Sequence, residues 1–354
     1  MFCSKKLMFI FLSFLAAQCA HAANPEMLTD GFELPWSIEF IDDRTALVSE
    51  RAGNIYTLDL NTDKKVEIKG VWPVWFSGQG GLLDLALHPG FDQNGWIYAT
   101  YSKPNEGGAS TALARFKIAD SRVADFQELF VSNAVASGGR HFGSRIVFDE
   151  AGYVYISSGD RGERDWAQQL SSHAGKIIRL HDDGRVPEDN PFVGSSDAAP
   201  EIWAYGNRNP QGMHYDKATR TLWSIEHGPR GGDEVNIVKR GANYGWPVIS
   251  YGKEYWGPVD VGEGTHREGM EQPAKYYVPS IAPSSLSLFK GKLYAGALKL
   301  THVNVLTLDS SGIKIINEQR LFEELDERVR DVVVGPDSWI YFLTDSGKLY
   351  RFKP

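Results

Sequence analysis

Short runs of alternating apolar and polar residues recur along the chain, each followed by a turn and an aromatic-rich run. The alternation predicts half-buried β-strands, and the Gly, Pro, Asn and Asp residues between the runs predict hairpin turns. Long patterns with the period of an amphipathic helix are nearly absent. The unit has six copies: "WSIEFIDDRTALVSERAGNIYTLDL", "LLDLALHPGFDQNGWIYATYS", "SRIVFDEAGYVYISSGDRG", "GMHYDKATRTLWSIEHGP", "SSLSLFKGKLYAGALKLTHVNVLTL" and "VRDVVVGPDSWIYFLTDSGKLYRF".

Six similar hairpins predict an all-β fold, the six-bladed β-propeller. The copies recur at uneven intervals of about 45 to 75 residues, which is the size of a four-stranded blade with inserted loops. A β-sandwich is the alternative, but a sandwich has no reason to repeat one hairpin six times. No linker separates the copies, so residues 23–354 are predicted to form one propeller domain. Residues 24–35 are expected to supply a strand that closes the ring against the last blade.

The first residues of the chain differ from the rest. Lys5 and Lys6 precede an apolar run over residues 7–17, and Ala20-His21-Ala22 follows. This is the pattern of a secretory signal peptide, and the apolar run is too short to span a bilayer. A membrane anchor is less favoured, because no stop-transfer segment follows. Residues 1–22 are therefore predicted to be a signal peptide, and the mature protein to be soluble and periplasmic.

Cysteine usage and charge exclude several classes of function. Both cysteines, Cys3 and Cys19, lie in the predicted signal peptide, so the mature chain has no disulfide, thiol nucleophile or cysteine-ligated metal. The formal net charge of −8 becomes −10 once Lys5 and Lys6 are removed. Such acidity argues against binding to nucleic acid or to an anionic membrane. A tight cluster of Arg and Lys in this chain would therefore need a local reason.

Several polar, glycine-rich loops interrupt the hairpin pattern. The strings "GNRNPQG", "EHGPRGGDEVN", "NYGWP" and "IAPSS" occur in these loops, in that order. With them the chain resembles the soluble PQQ-dependent sugar dehydrogenases over essentially its whole mature length. The resemblance is strongest to the periplasmic aldose sugar dehydrogenases of bacteria. It implies a six-bladed propeller that oxidises aldoses at C1 to lactones with pyrroloquinoline quinone (PQQ) and Ca²⁺.

The resemblance implies a catalytic pair. His141, in "GGRHFGSR", matches the general base that takes the proton of the sugar C1 hydroxyl, and Asp160 matches the carboxylate that orients it. Histidine suits this role because its ordinary pKa of about 6.5 leaves it largely neutral near pH 7. From the residues alone, a lone histidine beside a strand is more often structural. The other histidines, including His88, His173, His214 and His302, are expected to be structural or on the surface.

The cofactor site implied by the resemblance is rich in cations. PQQ carries three carboxylates, and Arg forks suit carboxylates while Lys suits a quinone oxygen as a point charge. Arg330 follows Arg328 by two residues, so in a strand both side chains would lie on one face. Gln168 is an ambiguous further candidate. The expected cofactor-binding residues are Gln79, Arg208, Asn209, Ser280, Lys299, Arg328 and Arg330.

The metal site is implied by the resemblance and not by spacing, because the chain has no EF-hand pattern. The ion that polarises PQQ is expected on the backbone carbonyls of Gly228 and Pro229. A further Ca²⁺ is expected at Glu234 and the carbonyl of Tyr244. Trp246, in "NYGWP", is interpreted as a packing residue.

Other aromatic and charged residues bear on substrate preference. Tyr255 and Trp256 could stack on a sugar or on PQQ, or could pack in the core. Glucose-oxidising members of the family carry an aspartate directly before the catalytic histidine, whereas this chain has Arg140. A cation in place of a hydrogen-bond acceptor argues against a preference for glucose and fits broad aldose specificity.

Two other classes of function stay open. A Ca²⁺-dependent propeller lactonase or related hydrolase would surround a channel metal with carboxylate and Asn side chains, and would not need the cations of the cofactor site. A non-catalytic sugar-binding propeller could keep the fold and lose His141. The main prediction remains a dehydrogenase that acts on an aldose, passes electrons to an unidentified acceptor, and is a monomer or weak homodimer without nucleic acid or membrane insertion.

Overall fold

The computed structural model describes residues 24–354 as a closed ring of six four-stranded antiparallel sheets. The predicted six-bladed propeller is therefore confirmed. Strand β1 is Glu26–Thr29. Blade 1 contains β2 Pro35–Phe40, β3 Thr45–Glu50, β4 Asn54–Asp59 and β5 Lys64–Glu67. Blade 2 contains β6 Leu82–Leu87, β7 Ile97–Asn105, β8 Gly108–Ala119 and β9 Arg122–Val131.

The remaining blades follow in chain order. Blade 3 contains β10 Ile146–Phe148, β11 Val154–Ser158, β12 Lys176–Leu180 and β13 Ile202–Tyr205. Blade 4 contains β14 Pro210–Asp216, β15 Thr221–Glu226, β16 Asp233–Val238 and β17 Lys275–Tyr277. Blade 5 contains β18 Pro283–Phe289, β19 Lys292–Ala297, β20 His302–Leu308 and β21 Ile315–Leu321. Blade 6 contains β22 Val329–Val334, β23 Ile340–Thr344 and β24 Leu349–Phe352, with β1 at its outer edge.

Strand β1 closes the ring, as the sequence predicted. It pairs antiparallel with β24, and Glu26 lies opposite Arg351. In each of the other five blades, the first strand along the chain is innermost in its sheet. The innermost strands of neighbouring blades contact one another around the whole ring. The N-terminal strand therefore completes the last blade and leaves the ring without a gap.

Helical structure is sparse. It comprises the α-helix α1 (Phe91–Asn94) and two 3₁₀ turns, Arg164–Gln168 and Glu323–Leu325. Within residues 24–354 no helix has the length and apolarity that a membrane crossing requires. The predicted signal peptide, residues 1–22, lies outside the described residues.

The core is divided among the interfaces between blades. Each of six large clusters of buried apolar side chains joins two neighbouring blades. Between blades 1 and 2, for example, Leu47 and Ile55 pack with Leu82, Leu85 and Ile97. Because both faces of each sheet are covered by a neighbouring blade, burial is continuous around the ring.

A buried arginine from blade 3 closes the central channel. Arg145 Nη1 lies 2.8 Å from Asp84 Oδ1 and 3.1 Å from Asp331 Oδ1. Its Nε and Nη2 donate to the carbonyls of Gln211 and Ser284, each at 3.1 Å. These partners belong to blades 2, 6, 4 and 5, so one side chain ties together blades that are distant in the chain.

Arg145 also separates two cavities in the channel. Its guanidinium lies 4.4 Å from the ring centroid of Trp36, which belongs to blade 1 and lines the first cavity. The second cavity, of about 330 Å³, lies on the other side and is lined by Arg145, Asp84 and Asp331. We call these the upper and the lower cavity. The catalytic residues predicted from the sequence lie on the upper side.

Candidate active site

The loops that carry the predicted site residues meet at one end of the ring, where the innermost strands begin. The upper cavity opens there and has a volume of about 210 Å³. Irregular pairing marks the beginning of the innermost strand in five blades, as expected where backbone is redirected toward a site. Residues from all six blades and their connecting loops line it: Trp36, Arg51, Gln79, Leu83, Phe142, Gly143, Asn209, Gln211, His227, Ala282, Leu298, Arg328, Arg330 and Asp345.

His141 and Asp160 form a buried hydrogen-bonded pair. His141 lies in the loop before β10, at a φ of +57°, and its Nδ1–H donates to Asp160 Oδ1 over 2.6 Å. Donation from Nδ1 leaves Nε2 as the nitrogen that can accept a proton. Burial lowers the pKa of His141 below its ordinary value and the charge of Arg208 acts in the same direction, while the bond to Asp160 opposes the shift. The structure therefore holds a neutral imidazole with one free basic nitrogen.

Asp160 is held from three directions. Its Oδ1 also accepts the backbone N–H of Gly162 at 2.7 Å, and its Oδ2 accepts Trp246 Nε1–H at 2.7 Å. Burial tends to raise the pKa of Asp160, but the hydrogen bond and charge of His141, together with Arg208, lower it overall. The carboxylate is therefore ionised and fixed in direction. Trp246 packs as the sequence suggested, and it also orients the carboxylate.

Gln79 supports the histidine from the opposite side. Its side-chain Oε1 accepts the backbone N–H of His141 at 2.7 Å. Its backbone N–H donates to the carbonyl of Gly139 at 2.6 Å. The two loops touch backbone to backbone, since a Cβ on Gly78 would lie 2.2 Å from the Gly139 carbonyl oxygen. Gly78 also has a φ of +57°, so this contact requires glycine.

Arg328 and Arg330 converge on one carboxylate. The sequence had predicted only that both side chains would lie on one face of a strand; Arg328 directly precedes β22. Arg328 Nε donates to Asp345 Oδ2 at 2.8 Å, and Arg330 donates through Nε and Nη2 to both carboxylate oxygens, at 2.8 and 3.1 Å. Arg51, from the β3–β4 turn, lines the same cavity. His227 adds no charge, because burial lowers its pKa to about 3. The walls of the upper cavity thus carry three guanidinium groups and one carboxylate.

Arg208 and Asn209 lie between the histidine pair and blade 4. Arg208 is buried over Trp246, with 5.2 Å from its guanidinium carbon to the ring centroid, and donates to the His227 carbonyl at 3.2 Å. Asn209 lines the upper cavity, and its Oδ1 accepts the N–H of Gly143 at 3.1 Å. Both backbone N–H groups donate to Glu226.

Two predicted cofactor residues are placed differently from the rest. Ser280 is buried, and its hydroxyl donates to Asp233 at 2.8 Å, so it is engaged by protein. Lys299 is exposed at the rim and is not among the residues that line the upper cavity. Gln168 is bonded to Asn243 and to the Trp246 carbonyl, where it supports the loop that carries Trp246.

Three of the four residues predicted to hold metal, Gly228, Glu234 and Tyr244, line a very small cavity of about 10 Å³, and Pro229 does not. Glu226 lines the same cavity. Glu226 and Glu234 are directly opposite each other on β15 and β16. Burial and then the charge of Glu226 raise the pKa of Glu234 to about 8, and burial raises the pKa of Glu226 to about 7.

The backbone near this small cavity also offers oxygen atoms. Gly228 and Pro229 are buried, and the N–H of Gly228 donates to Asp233 Oδ1 at 2.8 Å. Between residues 24 and 354 no three His, Cys, Asp or Glu side chains are grouped so that they could hold a metal ion. A metal here would therefore need backbone carbonyls in addition to the two glutamates.

The residues tied to substrate preference lie at the rim. Arg140 is exposed beside His141. Tyr255 and Trp256 are 66% and 75% exposed, so the alternative of core packing is wrong for both. The Tyr255 hydroxyl lies 3.4 Å from Arg208 Nη2, which keeps this aromatic loop beside the site.

Four residues of the site were not found from the sequence. Glu226 had a usable signal, because the hairpin around "HGPRGGD" places it opposite Glu234. Arg51 and Asp345 come from turns of different blades, and no local pattern links them to Arg330. His227 follows Glu226 directly, and its Nε2 bonds to the Pro283 carbonyl of the next blade at 2.6 Å, a contact that only the closed ring creates.

The chain is similar to characterised sugar dehydrogenases over nearly its full length. The sequence profile for glucose / sorbosone dehydrogenase matches residues 32–351. The aldose sugar dehydrogenase YliI of Escherichia coli (strain K12) is 39% identical over 346 residues, which cover 94% of this chain and 93% of that protein.

Solved structures show the same similarity. The apo-form of the soluble aldose sugar dehydrogenase from Escherichia coli matches with a TM-score of 0.89 at 38% identity, over 93% of this chain and 98% of that one. The PQQ-bound form of an aldose sugar dehydrogenase from Streptomyces coelicolor matches with a TM-score of 0.79 at 24% identity, over 92% and 96% of the two chains. At that lower identity the likeness shows the fold alone.

Proposed function

This chain belongs to the glucose/sorbosone dehydrogenase family of oxidoreductases, and from that premise we propose that it oxidises aldose sugars at C1 to lactones with PQQ and Ca²⁺. The observation that carries the proposal is the pairing of a neutral, oriented histidine with a cationic cavity beside it. The histidine suits proton removal from a hydroxyl, and the cavity suits a ligand with several carboxylates.

The upper cavity fits PQQ by charge. Arg51, Arg328 and Arg330 outnumber the single carboxylate of Asp345, in a protein whose net charge is −8. Arg51 and Arg330 are partly buried, and positive charge withdrawn from water is unfavourable unless an anion compensates it. When bound, PQQ supplies an ortho-quinone that accepts a hydride. Arg208, Asn209 and Gln79 would border the reacting region, with Lys299 and Ser280 at its margin.

His141 would remove the proton in this reaction. The cofactor would accept the hydride of sugar C1, while the proton of the C1 hydroxyl would move to His141 Nε2 and the C1–O bond would become a carbonyl. Asp160 then stabilises the imidazolium through Nδ1. Because Asp160 is fixed by Trp246 and Gly162, the imidazole does not have to reorient between the two protonation states.

Calcium fits the oxygen groups near blade 4. Ca²⁺ prefers carboxylate and carbonyl oxygens, and a cavity of about 10 Å³ has the size of one water or one ion. The carbonyls of Gly228 and Pro229 would hold the ion that polarises PQQ. Glu234 and the Tyr244 carbonyl, joined by Glu226, would hold a second ion, whose charge would compensate two buried carboxylates.

The two competing functions are less well supported. A hydrolase with a channel metal needs a carboxylate-rich upper cavity, whereas three of the four charged groups in its walls are guanidinium groups. A non-catalytic sugar-binding propeller has no need for the buried His141–Asp160 pair. For the cell, the proposal includes export to the periplasm through residues 1–22, an acceptor that takes electrons from the reduced cofactor, and a monomeric or weakly dimeric protein.

The first test is reconstitution. The metal-free protein is mixed with PQQ, with and without Ca²⁺, and reduction of an artificial dye is followed with several aldoses. Sugar-dependent reduction that requires both additions is expected. PQQ binding without turnover on any aldose would contradict the activity, and no binding of PQQ would contradict the cofactor.

The role of His141 is tested by His141→Gln in the same assay. Turnover should fall by about 10²- to 10⁴-fold while PQQ affinity changes little, because the side chain acts on the proton and not on the cofactor carboxylates. His266→Gln, an exposed histidine, is the matched control. Equal turnover in the two variants would remove His141 from the mechanism.

A further inference from the structure

Arg51 differs from the other two arginines of the upper cavity, because its guanidinium is not paired with Asp345. It lies in the turn between β3 and β4 of blade 1, at the wall of the upper cavity. Its Nη2 donates to the carbonyls of Gly78 and of Gly80, the latter at 2.9 Å. Two carbonyls thus hold one nitrogen of the guanidinium and fix its plane.

The other nitrogens of Arg51 have no protein partner. Nε is buried without a hydrogen bond, and none of residues 24–354 bonds to Nη1. A buried N–H group of a charged side chain is costly to leave unsatisfied. Nη1 is therefore the donor that this guanidinium, fixed at the cavity wall, can offer to a ligand with acceptor oxygens.

Charge balance leads to the same conclusion. Both oxygens of Asp345 accept hydrogen bonds from Arg328 or Arg330, and among the described residues Asp345 makes no hydrogen bond to Arg51. Burial lowers the pKa of Arg51, and the like charge of Arg330 lowers it further, while Asp345 opposes the shift. Arg51 and Arg330 are therefore near enough to repel each other, and an anion between them would remove that repulsion.

We propose that Arg51 binds a carboxylate of the cofactor, together with Arg330, across the junction between blades 1 and 6. The inference rests on the proposed function, because it takes PQQ as the ligand. Arg51 would then have two roles through separate nitrogens. Nη1 would contact the carboxylate, and Nη2 braces the Gly78–Gly80 loop whose Gln79 bonds to His141. Cofactor binding would thereby tighten the loop that supports the catalytic base.

The alternative is that Arg51 only braces the loop. Both roles would be lost in Arg51→Met, so stability or turnover alone cannot separate them. The two roles can be separated by comparing the affinity for the charged cofactor with the affinity for an uncharged derivative. PQQ trimethyl ester has the ring system of PQQ and lacks the three negative charges, so a carboxylate contact discriminates between the two compounds and a brace does not.

The experiment titrates Ca²⁺-loaded protein with PQQ and with its trimethyl ester, and follows quenching of tryptophan fluorescence. Relative to wild type, Arg51→Met should bind PQQ about 10- to 100-fold more weakly and bind the ester nearly unchanged. Arg51→Lys keeps the charge but loses the guanidinium fork, so its affinity for PQQ should lie between that of wild type and that of Arg51→Met. Arg44→Met, at an exposed arginine in the β2–β3 turn at the other end of blade 1, is the control.

The outcomes separate the two proposals. If wild type does not bind PQQ, the cofactor assignment and this inference both fail. If wild type binds PQQ and Arg51→Met weakens PQQ and the ester equally, Arg51 is only a brace and the inference alone is overturned. Should Arg51→Met fail to fold, Arg51→Lys decides: unchanged preference for PQQ over the ester contradicts the contact, and a reduced preference supports it.

Discussion

Arg145 contacts all five other blades at the centre of the ring, and we therefore expect Arg145→Met to be strongly destabilising. The substitution keeps an unbranched side chain of similar reach but removes the guanidinium. Asp84 and Asp331, both almost fully buried, then lose their only cationic partner among the described residues. The carbonyls of Gln211 and Ser284 lose a donor each.

The magnitude follows from these contacts. Breaking a buried ion pair by removing one partner costs about 3–5 kcal/mol, because a charge stays buried without compensation. Asp84 keeps the N–H of Ile146 at 2.7 Å, and Asp331 keeps the N–H of Ile38 at 3.0 Å, which limits the loss. We therefore expect a loss of about 3–5 kcal/mol in the free energy of unfolding near pH 8, and no more.

The loss should depend on pH in a definite direction. Burial raises the pKa of Asp84 to about 7 and raises that of Asp331, while the charge of Arg145 lowers both, so removing Arg145 raises both further. Unfolded Asp titrates near pH 4. Above that pH the native variant binds more protons than the unfolded chain, so its stability falls as pH rises through the native pKa values. The deficit relative to wild type is therefore larger at pH 8 than at pH 5.

Urea unfolding followed by tryptophan fluorescence at pH 5 and pH 8 measures both effects. Arg220→Met is the contrast: the side chain is 79% exposed and pairs with Glu150 at 3.0 Å, so its removal should change stability by less than about 1 kcal/mol. Adding Asp84→Asn and Asp331→Asn to Arg145→Met should recover part of the loss. A deficit below about 1 kcal/mol, or one equal at both pH values, would refute the reasoning.

Three further predictions concern the catalytic loops. Asp160→Asn should lower turnover by about 10²- to 10⁴-fold with PQQ affinity preserved, because an amide cannot accept from both His141 and Trp246 as the carboxylate does; steady-state kinetics with the loaded enzyme checks this, and unchanged turnover would contradict it. Turnover in wild type should persist below pH 6.5 and fall only as pH drops through the lowered pKa of His141, since the base must be neutral; a pH–rate profile with an acid limb above 6.5 would oppose this. Gly78→Ala should separate the two loops, because its Cβ would lie 2.2 Å from the Gly139 oxygen, and should reduce turnover more than a matched Gly107→Ala, where nothing lies within 4 Å.

The fold was predictable because its information is local and repeated. Each hairpin carries the alternation of a strand pair, and six copies leave few architectures other than a propeller. The closing role of residues 24–35 was expected from the sequence too, and β1 pairs with β24 of the last blade. The lengths and registers of strands were not predictable. Irregular pairing at Leu82–Leu85 and at Val329–Asp331 occurs in innermost strands that contact neighbouring blades, whose residues are distant in the sequence.

The candidate site could be predicted where its residues lie within a recognisable sequence motif. His141 and Asp160 do form a pair, and Arg328 and Arg330 do share a partner. The partner itself, Asp345, could not be found, because it belongs to a hairpin turn that resembles many others. Asp84 and Asp331 read as polar positions of alternating strands, and they turn out to face the channel and Arg145.

The ring separates stability from chemistry along its axis. At the centre, Arg145 meets two carboxylates and two carbonyls, so its donors are satisfied within the protein. Nearer the open end the balance reverses, since Arg51 keeps unsatisfied donors and the cations outnumber Asp345. Charged groups whose hydrogen bonds are satisfied within the protein stabilise a fold. An uncompensated positive charge in a cavity favours a ligand of opposite charge. Because the excess lies where blade 6 meets blade 1, an anionic ligand there would also join the first and the last blade of the ring.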